Sequence, residues 1–161
     1  MDISLKQTFD AELIESIMSI DEIANAAADS IYFSNCFTPR IDELNGWLIC
    51  YEGKELAGII NLHHENSTTL QIHPYMLNSK KKYCRDMMRA LYNWFVSEVP
   101  MHVNKITANI PECYKKTVNF SRKVGFIEEG YRKEGYNSGD EYFGVYLMGI
   151  TRKEIEGYLN G

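Results

Sequence analysis

The strongest constraint on the fold comes from three apolar, alternating segments between residues 46 and 77. Gly46–Tyr51 (GWLICY), Leu56–His63 and Thr69–Leu77 each have the alternation typical of a β-strand. Tight turns separate these segments at Glu52–Lys54 and at Asn66–Ser67. Because strands joined by such short turns pair with their neighbours in opposite directions, the three segments predict an antiparallel meander.

A long amphipathic helix is predicted directly after the meander, at Lys80–Val99. Its apolar residues recur at spacings of three and four, which places them on one face of a helix. They are Cys84, Met87, Met88, Leu91, Trp94 and Phe95. A stripe of this kind indicates packing against a core rather than a cofactor site.

Shorter patterns complete the chain. Val103–Asn109 alternates as a strand, and Pro111 predicts the start of a helix that ends at Gly125, since proline fits a first helical turn and glycine the left-handed position after the last one. The other predicted elements are a strand at Ile3–Phe9, one or two helices in Asp10–Ala28, an irregular or partly helical segment at Tyr32–Asn45, strands at Phe126–Arg132 and Tyr142–Ile150, and a short terminal helix capped by Thr151 and Glu154.

The predicted order is therefore β-α-β-β-β-α-β-α-β-β, which belongs to the α/β class. It favours a mixed, mostly antiparallel central sheet flanked by helices. The helical crossover predicts that Leu70–Leu77 and Val103–Asn109 are parallel neighbours that diverge at their C-terminal ends. With 161 residues, the chain suits a single domain over residues 1–161.

Composition narrows the classes of function. A net charge of −5 argues against general nucleic-acid binding, which needs a basic surface. We expect no membrane partner and a cytoplasmic location, because no signal peptide and no apolar stretch near the ~20 residues of a membrane span is present. The four cysteines, Cys36, Cys50, Cys84 and Cys113, form no C-x-x-C pair and are expected to be free thiols.

Three local motifs, together with the predicted order of elements, resemble the GNAT superfamily of acetyltransferases. IHPYMLNSKKKYCRDMMRALYNWF is similar to the family's coenzyme A motif, a strand and loop that lead into a helix. NIPECYKKTVNFSRKVGFIEEGYRKE is similar to its second motif, and DEYFGVYLMGI to the aromatic C-terminal strand of the branch that modifies protein N-termini and small amines. The chain also bears a slight resemblance to small phage-encoded members. The resemblance implies acetyl-CoA as co-substrate, no metal, and direct transfer of the acetyl group to a protein N-terminus, a lysine or a small amine.

The sequence departs from the family pattern within these motifs. Ser79 stands where the family has Gln or Arg, and Lys82 and Cys84 stand where it has glycine or alanine. In the second motif, Tyr114 takes the asparagine position, and Ser121 stands where many members carry a tyrosine acid. Because of these departures, the resemblance supports the fold more strongly than it supports the catalytic activity.

Carrying the motifs over predicts a coenzyme A site at the start of the long helix. Free N–H groups at a helix start donate hydrogen bonds to anions, and lysines are unfavourable there unless an anion is bound. The competing interpretation is a solvated run of charges on an exposed turn. The predicted cofactor-binding residues are Tyr75, Met76, Leu77, Lys80, Lys81, Lys82, Tyr83, Cys84, Arg85, Asn109, Tyr114 and Thr117.

For catalysis, the amine must lose a proton and the leaving thiolate must gain one. His73 shares a strand face with Gln71 and Tyr75 and titrates nearest neutral pH, so it is the candidate general base. A purely structural histidine is the alternative. Tyr114 and Ser121 are the candidates to protonate the leaving sulfur.

Other functions remain open at this point. His63, His64, Glu65 and His73 do not predict a metal site, because His63 and His64 point to opposite faces of a strand. A catalytically silent domain that binds a protein partner is one alternative, and a structural or accessory component of a phage particle is another. The sequence identifies neither the acceptor nor the oligomeric state, and both a monomer and an oligomer are compatible with it. The expected partner is an amine-bearing small molecule or protein.

Overall fold

The computed structural model describes residues 2–27 and 38–161, and these residues form one seven-stranded sheet with helices on both faces. The strands are β1 Ile3–Gln7, β2 Asn45–Glu52, β3 Glu55–His64, β4 Thr69–Met76, β5 Lys105–Pro111, β6 Ile127–Asn137 and β7 Tyr142–Thr151. The α-helices are α1 Ala11–Met18, α2 Asp21–Ala27, α3 Cys84–Glu98, α4 Lys115–Lys123 and α5 Arg152–Asn160. The order in the sheet is β1-β2-β3-β4-β5-β7-β6. The α/β class, the mixed sheet and the order of elements are those that the sequence predicts.

Two apolar clusters hold the layers together. The larger one lies under α3, α4 and α5, where Leu91, Tyr92 and Phe95 of α3 are fully buried. The smaller one lies on the opposite face, where Ile14 and Ile23 of the first two helices pack against the sheet. The sheet is therefore covered on both faces, and the stripe predicted for the long helix does pack into the core.

The parallel strands β4 and β5 pair only at their beginnings. The ladder joins Thr69–Gln71 to Lys105–Thr107, after which both strands continue unpaired with each other. This confirms the predicted divergence. Each strand carries a proline beyond the last pair, Pro74 on β4 and Pro111 on β5. At both positions the missing N–H would face the gap that opens between the diverging ends of β4 and β5, so no ladder hydrogen bond is lost.

Two predicted helix starts are wrong. The long helix is preceded by a 3₁₀ helix at Asn78–Tyr83, and the α-helix begins at Cys84 rather than at Lys80. Pro111 ends β5 instead of opening a helix, because Glu112 continues the pairing by donating its N–H to the Gly144 carbonyl at 2.9 Å. The helix α4 therefore begins at residue 115.

Other local predictions are confirmed. Gly125 follows α4 with a φ of 101°, and Thr151 and Glu154 form a capping box at α5. Cys50, Cys84 and Cys113 are free thiols, whereas Cys36 and the first part of the segment Tyr32–Asn45, residues 32–37, lie outside the described residues. Among the described helices, none is both long and apolar enough to cross a membrane.

Candidate active site

The gap between β4 and β5 exposes backbone groups on both strands. The Leu77 N–H donates to the Ala57 carbonyl at 2.9 Å, so the neighbouring Met76 directs its N–H and C=O away from β3 and toward the gap. On β5, the bond from Glu112 to β7 leaves the N–H and C=O of Asn109 directed toward the gap by the same alternation. The gap can therefore hold an extended, amide-bearing chain by hydrogen bonds to either strand.

The start of α3 lies directly beyond the end of β4. Tyr83 is the N-cap residue and its side chain makes no capping hydrogen bond. The exposed side chains of Lys81 and Lys82 belong to the preceding 3₁₀ helix, and the Lys82 ammonium lies 4.9 Å from the centre of the Tyr83 ring. An anion at this helix start would meet both the helix dipole and these two cations.

Lys80 has a different environment from the other two lysines. Its ammonium contacts the carboxylates of Glu52 and Glu55, at the two ends of the β2–β3 turn. Glu52 is only 7% exposed, and its hydrogen bonds to Lys80 and then to Tyr83 hold the pKa of its carboxyl below the usual range. Lys80 thus ties the 3₁₀ helix to the sheet, and its charge is not free for an outside anion in the way the sequence predicts.

The remaining residues of the predicted cofactor site lie around the gap and the two helix starts. Tyr75, Met76 and Leu77 lie at the end of β4 and just beyond it, Cys84 and Arg85 open α3, Asn109 lies on β5, and Tyr114 and Thr117 lie at the start of α4. Tyr75 packs its ring into the smaller apolar cluster, and by the same alternation its backbone N–H and C=O face β3 rather than the gap.

The three predicted catalytic residues have unequal surroundings. His73 is half-buried on β4 opposite Asn61, and desolvation, followed by the nearby His63, lowers the pKa of its imidazole. Tyr114 is 44% exposed, and its hydroxyl lies 2.7 Å from that of Tyr136 on β6. Ser121 is 5% exposed and donates its hydroxyl to the Val118 carbonyl at 2.7 Å, so that proton is already used within α4.

Sequence reasoning missed two polar residues near this site. One is Glu52, which the sequence pattern marks only as part of a turn. The other is Asn45, which lies opposite His63 and accepts a hydrogen bond from its ring at 3.0 Å. A regular hairpin that keeps the Glu52–Glu55 pairing would place Asn45 opposite Leu62, but the bulge at Cys50 and Tyr51 shifts the register by one residue, and no local sequence signal indicates that bulge.

A separate cavity of about 420 Å³ lies on the other side of α4. Lys115, Asn119 and Arg122 line it from the helix, and Phe143 and Tyr146 line it from β7. Since successive helical residues turn by about 100°, Thr117 points to the opposite flank of α4. The helix therefore separates this cavity from the flank that carries the predicted cofactor residue. Within residues 2–27 and 38–161, no three His, Cys, Asp or Glu side chains form a group that could hold a metal ion.

No protein-family model matches the sequence, and no curated protein matches it. Solved structures, in contrast, resemble the whole chain. Spermidine N-acetyltransferase from Vibrio cholerae, in complex with CoA and spermine, gives a TM-score of 0.77 at 15% identity, with 96% of this chain and 98% of that chain covered. The spermidine/spermine N-acetyltransferase SpeG from the same organism, in complex with manganese ions, gives 0.74 at 17% identity and 97% and 96% coverage.

A chimera of SpeG from Vibrio cholerae and hSSAT gives a TM-score of 0.72 at 18% identity, with 100% of both chains covered. At these identities the likeness establishes the fold. The chain has the fold of the GNAT superfamily, as the sequence motifs imply.

Proposed function

We propose that this chain is an acetyl-CoA-dependent N-acetyltransferase that acts on a primary amine. The observation that carries the proposal is the gap between β4 and β5, in which two parallel strands separate and turn unpaired backbone groups toward each other. The pantetheine arm of coenzyme A contains two amide groups. It can pair with the N–H and C=O of Met76 on one side and of Asn109 on the other, as an added strand would.

The pyrophosphate of the co-substrate would lie at the start of α3. Arg85 and Cys84 belong to the first turn there, and Lys81 and Lys82 supply two exposed cations. This assignment explains why lysines precede the positive end of a helix dipole, where they are mildly unfavourable without an anion. The Lys80 ammonium, by contrast, contacts Glu52 and Glu55 and would hold the turn in place.

The chemistry of the chain's own residues would be proton transfer and positioning. His73 lies just past the last β4–β5 pair, and its lowered pKa keeps it neutral and able to accept a proton near neutral pH. Tyr114 is the better candidate to protonate the departing sulfur, since the Ser121 hydroxyl already donates to the Val118 carbonyl. The bound amine would then attack the thioester directly, and the rate would depend mainly on how the gap orients the amine and the thioester relative to each other.

Polyamines are the acceptors to test first. The solved relatives in the fold are named as spermidine or spermidine/spermine N-acetyltransferases, and one is bound to CoA and spermine. The net charge of −5 attracts polycationic amines over neutral or acidic acceptors. Peptides with a free N-terminus are the comparison substrates.

The test measures release of the coenzyme A thiol with acetyl-CoA and spermidine, spermine or a peptide, alongside calorimetric titration with acetyl-CoA. Changing Lys81 and Lys82 together to Glu should weaken acetyl-CoA binding by roughly 1–3 kcal/mol, about 5- to 150-fold, because charge-assisted contacts to phosphate are lost. The effect should shrink as salt rises. The matched control converts two exposed lysines elsewhere, Lys6 on β1 and Lys153 on α5, to Glu.

Equal loss of affinity in both double variants would remove the α3 start from the site. Binding of acetyl-CoA without turnover on any of these amines would instead favour the catalytically silent domain.

A further inference from the structure

A chain of three hydrogen-bonded side chains lies on the sheet face that carries His73. Asp42 Oδ1 accepts from the Asn45 side-chain amide at 2.8 Å, and it also accepts the backbone N–H groups of Leu44 at 2.8 Å and Asn45 at 3.0 Å. Asn45 Oδ1 in turn lies 3.0 Å from Nδ1 of His63. The proposed function does not use these three residues.

The chemistry of the groups determines which ring nitrogen of His63 carries the proton. These hydrogen bonds hold the pKa of Asp42 below its usual range, so its carboxylate only accepts hydrogen bonds. The Asn45 group beside it must therefore be the NH₂, and the group beside His63 must be the amide oxygen. Because that oxygen also only accepts, the His63 Nδ1 carries the hydrogen and Nε2 keeps a free lone pair.

His63 is close to the point where the gap opens. It lies opposite Gln71 on β4, and Gln71 is the last β4 residue that pairs with β5. His73 lies on the same face one step further along β4, and both His63 and Glu65 influence the pKa of His73. The titratable groups around His63 are thus His73 and Glu65, with His64 next to it on the strand.

We propose that His63 is a second proton acceptor of the active site, and that Asn45 and Asp42 are positioning residues that direct its Nε2 lone pair to the acceptor side of the gap. This inference rests on the proposed function. An ammonium acceptor transfers one proton to the imidazole and becomes a neutral amine. The amine nitrogen then bonds to the thioester carbonyl carbon and the carbon–sulfur bond breaks. Tyr114 protonates the thiolate, and the second proton from nitrogen restores the Tyr114 hydroxyl. One acetyl-CoA, one ammonium and one imidazole give an amide, coenzyme A and an imidazolium.

The test begins with the tautomer, which can be read without any turnover. Nitrogen-15 spectra of the histidine rings should show His63 with its hydrogen on Nδ1 at neutral pH. Changing Asn45 to Ala should shift His63 toward the Nε2–H form. The matched control is Asn61→Ala, because Asn61 is a half-buried amide on the same face that donates to the Gly46 carbonyl and leaves His63 untouched. That control should retain the wild-type tautomer.

Turnover supplies the second part. His63→Ala should lower kcat at least about 100-fold, the scale of a lost acid–base group, and Asn45→Ala about tenfold. The KM for acetyl-CoA should stay within about twofold in both, since neither residue faces the α3 start. An Nε2–H tautomer in the wild type, or normal kcat in both variants, overturns the inference. A wild type with the Nδ1–H tautomer but no transfer to any amine overturns the proposed function, and the role of His63 in catalysis with it.

Discussion

Without the buried Arg152 guanidinium, this protein should unfold at a much lower denaturant concentration, because that group stabilises the end of α3. Arg152 is 4% exposed and donates to the carbonyls of Val99 at 3.0 Å, Pro100 at 3.1 Å and Val103 at 2.9 Å. Its guanidinium also lies 4.4 Å from the centre of the Phe95 ring. Within residues 2–27 and 38–161, no carboxylate lies within ion-pair distance of it, so backbone carbonyls and the Phe95 ring stabilise the buried charge.

Arg152→Met keeps much of the aliphatic packing and removes every donor. The carbonyls of the buried residues Val99 and Val103 and of the exposed residue Pro100 lose short hydrogen bonds, at about 1–3 kcal/mol for each buried carbonyl. Part of that loss is offset because the variant no longer buries a charge. We therefore expect a net loss of about 3–5 kcal/mol in the free energy of unfolding, a large share of the ~5–15 kcal/mol typical of a domain. For a chain of this size the melting temperature should fall by roughly 10 °C.

Urea unfolding followed by far-ultraviolet circular dichroism measures this loss. The matched control is Arg89→Met, because Arg89 is exposed and makes one hydrogen bond, to the Leu159 carbonyl at 3.2 Å. It should cost less than about 1 kcal/mol, as is usual for exposed sites. Equal losses for the two variants, or a loss below about 1 kcal/mol for Arg152→Met, would refute the reasoning.

Two further predictions concern the β2–β3 hairpin. Gly58→Ala should cost about 1–3 kcal/mol of stability in urea unfolding, because a Cβ there would meet the backbone of Tyr75 on β4, whereas Gly46→Ala, with only ordinary contacts, should cost less. Glu52→Gln should change the pH dependence of the melting temperature. The hydrogen bond from Lys80 lowers the pKa of the Glu52 carboxyl in the folded state. The ionised carboxyl therefore stabilises the fold fully above its ordinary pKa of 4.5, and this stabilisation is lost as the pH falls below that value. The difference in melting temperature between wild type and Glu52→Gln should therefore be largest near neutral pH and shrink in acid; a difference that grows in acid would contradict the assignment.

The sequence predicts the order of elements because the signals for that order are local. Alternation within β2, β3 and β4 and the apolar stripe of α3 each depend on residues close in the chain. The predicted divergence of β4 and β5 rests on the helical crossover alone, because the sequence assigns Pro111 to a helix start rather than to the end of a strand. The crossover is therefore the signal that places the gap between these two strands.

The finer parts of the site depend on register and on long-range contacts. A single bulge in the β2–β3 hairpin places Asn45 opposite His63 rather than Leu62. Lys80 contacts carboxylates 28 and 25 residues away, which no local pattern indicates. Pro111 fits either a first helical turn or the end of a strand, and the pairing of Glu112 with Gly144 decides for the strand.

Mapping the co-substrate on the backbone amides tests the central claim most directly. In nitrogen-15 correlated NMR spectra titrated with coenzyme A, we expect the largest shifts at the amides of Met76, Asn109 and Arg85, at saturable one-to-one stoichiometry. Shifts confined to the cavity between α4 and β7, for example at Asn119, or spectra that do not change at millimolar ligand, would contradict the claim that the gap between β4 and β5 receives the co-substrate.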